Sequence, residues 1–176
     1  MADKLCTTRR GADETAYFKH SPTSGHFSHF VAALGVAIEA ERDIEHGLWS
    51  DPAFDHWLAE AEAAWQTATD LCRAAFEAPA TRHSDVPLQR FARHLHWTIG
   101  CETQAELSTA RQIIAGHPHL FRWRGHDPEA RRISQLLARA RQQFDELCDL
   151  DMLNGLEAPS DVTVDQAEPA PELFAA

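Results

Sequence analysis

Apolar residues that recur in alternating steps of four and three confine this chain to helices. Phe54, Leu58, Ala61, Trp65, Ala68 and Cys72 keep that step without a charged residue on the stripe. At about 100° per residue they line one helix face, and the same spacing supplies the knobs of a helix bundle. Ile133, Leu136, Leu137, Ala140, Phe144 and Leu147 form a second such face. No segment alternates with the period of two that a half-buried strand requires.

Punctuation divides the pattern into four predicted helices. The first runs from about Gly25 to His46 and stops near Gly47. The second opens at Ser50-Asp51-Pro52, an N-cap followed by proline in the first turn, and continues to about Glu77, ahead of Pro79. Ser84-Asp85 and Pro87 open a third that extends to about Ala115, where Gly116 and Pro118 supply stop signals. The fourth begins at Asp127-Pro128 and ends near Asn154-Gly155.

The odd helices share a motif. Phe30, Leu34, Ile38, Glu41 and Glu45 match Phe91, Leu95, Ile99, Glu102 and Glu106, each pair 61 residues apart. The even helices share another: Asp51-Pro52 with Leu71-Cys72 matches Asp127-Pro128 with Leu147-Cys148, each pair 76 apart. Two fused hairpins make an antiparallel four-helix bundle. The expectation is therefore an all-α chain, an antiparallel four-helix bundle built from a duplicated helical hairpin, occupying residues 24–155. Repeat 1 covers about 25–78 and repeat 2 about 84–155. A flexible polar N-terminal arm takes residues 1–23, and a disordered acidic tail rich in proline and alanine takes 156–176. The tail ends on the apolar Leu173-Phe174-Ala175-Ala176, as short docking signals do.

The shared glutamates point along the apolar stripes, together with Phe27, Phe30, Leu34, Ile38 and Leu48 in the first helix. Burying a carboxylate costs several kcal/mol unless it is paired or neutralised. With helices one and three parallel, Glu41, Glu45, Glu102 and Glu106 are expected to converge in the core. Glu62, Thr69, Arg132 and Gln143 are the nearest polar groups, and bases are scarce. Such a set holds a divalent cation, with oxygen ligands favouring Mg²⁺, Mn²⁺ or Ca²⁺, or else forms a structural polar network with Arg132, Arg139 or a second subunit. The Glu-x-x-His pairs of di-iron carboxylate bundles are absent; Asp43 to His46 comes nearest and faces away.

Other chemistry-bearing residues read as structural. His94 and His96 diverge by about 200° on a helix. His117 and His119 lie in a loop with His126 nearby, without a fourth zinc ligand at a recognised spacing. Cys72 and Cys148 sit on apolar helix faces, where thiols are inert. Nucleotide-binding glycine loops, the Gly-x-Ser-x-Gly elbow and His-Glu-x-x-His are all missing. Trp97 points off its helix's stripe, Leu107 and Ile114 widen that helix's apolar surface, and Phe121 and Trp123 lie in the following loop. Together they predict a second contact surface, met by that loop, a partner or a second copy.

A formal net charge of −11 over 176 residues argues against nucleic acid. No apolar run of membrane-spanning length and no leader-like h-region occurs, and the four cysteines form no Cys-x-x-Cys pair, so a cytoplasmic protein without a membrane partner is expected. The reading that follows is a non-catalytic interaction or regulatory protein, with a protein partner or homodimer meeting the aromatic surface and the C-terminal tail as a further element. The alternative is a divalent-metal-binding helical-bundle enzyme, a hydrolase or oxidase, using the four inward glutamates.

Overall fold

A computed structural model describes residues 20–47 and 51–156. Within them the chain is all-helical, with no strand: α1 (Pro22–Glu45), α2 (Phe54–Glu77), α3 (Asp85–Ile99), α4 (Gln104–Gly116), α5 (Pro128–Cys148) and the single turn α6 (Asp151–Asn154), plus a 3-10 turn at Pro118–Phe121. No helix among the described residues is long and apolar enough to cross a membrane. Most of the expected arm, Cys6, Leu48, the Ser50 cap and nearly all of the acidic tail lie outside the described residues.

α1 starts where Ser21 caps it: the hydroxyl accepts from the Ser24 amide at 3.0 Å, and Pro22 opens the first turn. Phe27, Phe30, Val31, Leu34, Ala37 and Ile38 form its buried face. Each large side chain so buried contributes about 1.5–3 kcal/mol. α2 returns antiparallel, because Glu41 meets Trp65 near one end of the pair while Thr23 donates to the Pro79 carbonyl near the other. Ala61, Ala68 and Ala75, seven residues apart and buried, let the two backbones approach closely.

The helical class stands, but the third predicted helix does not run unbroken to Ala115. It ends at Ile99, the chain turns through Gly100 to Thr103, and α4 runs back along α3. A capping box makes the new start: Thr103 accepts from the Glu106 amide at 3.3 Å, and the Glu106 carboxylate accepts from the Thr103 amide at 3.2 Å. Leu107, Ala110 and Ile114 then turn inward, and His94 donates from Nε2 to the Ala110 carbonyl at 3.0 Å.

Asp127 opens α5 by accepting from the Ala130 amide at 2.6 Å. α5 lies parallel to α1, with Gln143 donating to the Val31 carbonyl at 2.9 Å. Gly35 makes that approach possible, since a Cβ there would sit 2.8 Å from Gln143 Nε2. The starts of α1, α3 and α5 meet at one end of the bundle. There the buried Asp85 accepts from the Ser21 hydroxyl at 2.5 Å and from the Thr81 and Arg82 amides at 2.9 Å each. Ser84 and Arg82 both reach Glu129, at 2.7 and 2.9 Å. A buried carboxylate so surrounded is a structural tie.

Candidate functional site

The four glutamates do not converge. Glu41 is half-buried and accepts from the Trp65 indole at 2.8 Å, tying α1 to α2. Glu45 is half-buried too, and accepts from the Asp151 amide at 2.6 Å, capping α6. Glu102 and Glu106 are exposed at the start of α4, because the break after Ile99 rotates them off the stripe they were expected to continue. The expected inward set of Glu41, Glu45, Glu102 and Glu106 is thus corrected: Glu41 pairs with Trp65, Glu45 caps α6, Glu106 is exposed and closes the capping box of α4, and Glu102 is exposed. Among the described residues no three His, Cys, Asp or Glu side chains are grouped to hold a metal ion.

The remaining candidates separate cleanly. His94 is buried against Trp97, Phe121 and Phe144, and burial lowers its pKa. The exposed His117 and His119 rings lie 6.1 Å apart, and His126 is exposed as well. Cys72 donates to the Ala92 carbonyl at 3.1 Å, and burial pushes its thiol up to about 12, which keeps it protonated and unreactive. Burial also raises Cys148.

What the bundle does assemble is an aromatic surface edged with arginine. The loop after α4 folds back onto α3, and Phe121 meets Phe91 edge-on at 5.4 Å between ring centres. Two hollows remain on either side of Phe121. The larger, about 860 Å³, has a floor of Phe91, Ile114, Pro118, Trp123 and Leu137, with Arg122, Arg124 and Arg141 beside it. The smaller, about 380 Å³, lies between Trp97 and Leu120 with Arg90 and Arg93 beside it.

Five of the chain's sixteen basic residues line these hollows, and no acidic residue does, in a molecule of net charge −11. The local field is therefore opposite in sign to the whole. Arg141 pairs with Asp145 at 3.4 Å, and the Arg93 guanidinium lies over the Phe76 ring at 5.5 Å. Arg90, Arg122 and Arg124 form no ion pair among the described residues. An apolar floor with unpaired planar donors at its edge suits a ligand having an apolar anchor and carboxylates.

The aromatic members of this surface were legible in the sequence; the arginines were missed. Two local signals carry them: Arg90-x-x-Arg93 places both on one helix face, and Arg122-Trp123-Arg124 flanks an aromatic residue with two bases. No family model, curated protein or solved structure gives a significant match to this chain.

Proposed function

We propose that this chain is a non-catalytic interaction module that binds an acidic protein segment carrying an apolar anchor. The observation that carries the reading is the arginine border around the aromatic hollows, free of acidic residues within an otherwise acidic bundle. One buried Phe or Leu anchor is worth about 1.5–3 kcal/mol. The arginines add orientation and association rate more than affinity. Nucleic acid fits less well, because the net charge repels a polyanion and the floor includes aliphatic Ile114, Pro118 and Leu137 rather than stacking rings alone. The free thiols of Cys72, Cys101 and Cys148 suit a reducing cytoplasmic setting.

Fluorescence anisotropy tests the reading with a labelled synthetic peptide in which glutamates surround a Leu-Phe pair, beside the same peptide with lysines in place of the glutamates. The acidic peptide is expected to bind, and Arg122→Glu/Arg124→Glu to weaken it by about tenfold or more. Equal binding of both peptides, or indifference to the double substitution, would overturn the proposal.

A further inference from the structure

We infer that an occupant of the arginine-bordered hollows is residues 157–176 of this same chain, an inference that rests on the interaction reading above. Charge is the first argument. Residues 157–176 carry Glu157, Asp161, Asp165, Glu168 and Glu172 and no base. The other long stretch outside the described residues, 1–19, has the wrong sign: four bases (Lys4, Arg9, Arg10, Lys19) against three acids (Asp3, Asp13, Glu14), a net of +1.

Pattern is the second argument. Leu173-Phe174 directly follows Glu172, and Val162 and Val164 lie between Asp161 and Asp165. Apolar anchors are thus set beside carboxylates, as the hollows set an apolar floor beside guanidiniums.

Reach is the third. The described chain ends at Leu156, which packs on the core next to α6. α6 is tied to the start of α4, where Gln104 donates to the Leu153 carbonyl at 2.7 Å. The larger hollow lies ten residues up α4 at Ile114, about 15 Å away at 1.5 Å per residue. The 17 residues from Leu156 to Leu173 span up to about 55 Å when extended, and a coil of that length averages roughly 23 Å. Tethering supplies the rest: a short linker gives an effective concentration of order 1 mM, so a contact with a dissociation constant of about 0.1 mM is roughly nine-tenths formed.

The test uses the full chain labelled with 5-fluorotryptophan, the Trp123 ¹⁹F resonance being assigned by Trp123→Phe. Full-length Leu173→Ser/Phe174→Ser, altered outside the described residues, is expected to shift that resonance. It is also expected to bind a synthetic 157–176 peptide about tenfold more tightly than the unaltered chain, whose own segment competes. Identical Trp123 resonances and identical peptide affinities would overturn the inference. The interaction reading survives that result if Arg122→Glu/Arg124→Glu still abolishes peptide binding, and falls with it if neither protein binds any acidic peptide. A Trp123 shift that grows with protein concentration assigns the segment to a second copy and overturns the intramolecular contact. Displacement of the peptide by a thymidine oligonucleotide at lower concentration than by unlabelled peptide overturns both.

Discussion

Residues 30–45 and 91–106 carry the same five-residue motif and end differently. Phe30, Leu34 and Ile38 correspond to Phe91, Leu95 and Ile99, and both triplets pack into the core, the last less completely in α3. Beyond that point the first segment stays helical to Glu45 and the second breaks. Two exchanges at matching positions account for this: Gly100 stands where α1 has Glu39, and Thr103 where it has Arg42. Glycine weakens the helix end, and threonine three residues before Glu106 offers a capping box that starts a new one. A shared apolar pattern therefore decides which face is buried, while one cap decides where the helix stops.

The shared half should respond alike to truncation. Leu34→Ala and Leu95→Ala, both fully buried, are each expected to lower stability by about 3 kcal/mol, measured by urea unfolding. A cost under about 1 kcal/mol at either position would break the equivalence of the two segments. The divergent half should respond unequally. Thr103→Ala removes the cap and is expected to cost about 1 kcal/mol. Arg42→Ala, at the matching position, loses only partly exposed pairs to Glu39 and Glu146, at 2.9 and 3.8 Å, and is expected to cost about half a kcal/mol or less. Reversal of that order would mean that the cap does not set the break.

The same contrast explains what could be read in advance. The start of α5 at Asp127-Pro128 and the ends of α1 near Gly47 and of α2 ahead of Pro79 were legible because strong signals coincide there. By contrast, α1 starts at Pro22 rather than Gly25, α2 at Phe54 rather than Pro52, and the expected fourth helix breaks after Cys148. The split between α3 and α4 was not legible, because Glu102 and Glu106 prolong an apolar stripe by spacing alone. Thr103-Gln104-Ala105-Glu106 is a capping signature, but its glutamate also satisfies the i, i+4 step, and spacing does not distinguish a capping carboxylate from an inward one. That ambiguity produced the expected four-glutamate site. At the surface, Trp97, Phe121 and Trp123 stood out as aromatics without a place on a stripe. Arg90, Arg93, Arg122, Arg124 and Arg141 did not, because they are dispersed over two helices and a loop and only the fold brings them around Phe121. A charge summed over the whole chain conceals a patch of the opposite sign.

Acid titration probes the cap itself. The Glu102 amide, and less strongly the Thr103 hydroxyl and amide, hold the Glu106 carboxyl below its ordinary value of 4.5. A group whose folded pKa is depressed contributes stability above the unfolded value and loses it as pH falls through the lowered one. The stability difference between the unaltered chain and Glu106→Gln is therefore expected to be constant near neutrality and to shrink below about pH 4.5, closing once Glu106 is protonated in both states. A difference that persists at about pH 2, in urea melts across the series, would detach Glu106 from the break.

Gly100→Ala carries the smallest expected effect and separates the two exchanges. Gly100 has φ −92° and ψ 12°, a conformation open to any residue, and an added Cβ would meet only the His96 and Trp97 carbonyls at an ordinary 3.7 Å. With no strain to oppose it, alanine should restrict the unfolded chain and leave stability unchanged or raised by about half a kcal/mol. Circular dichroism should show no gain in helix content, because Thr103 and Glu106 still open α4. A gain in helicity, or a loss of more than about 1 kcal/mol, would assign the break to glycine rather than to the cap.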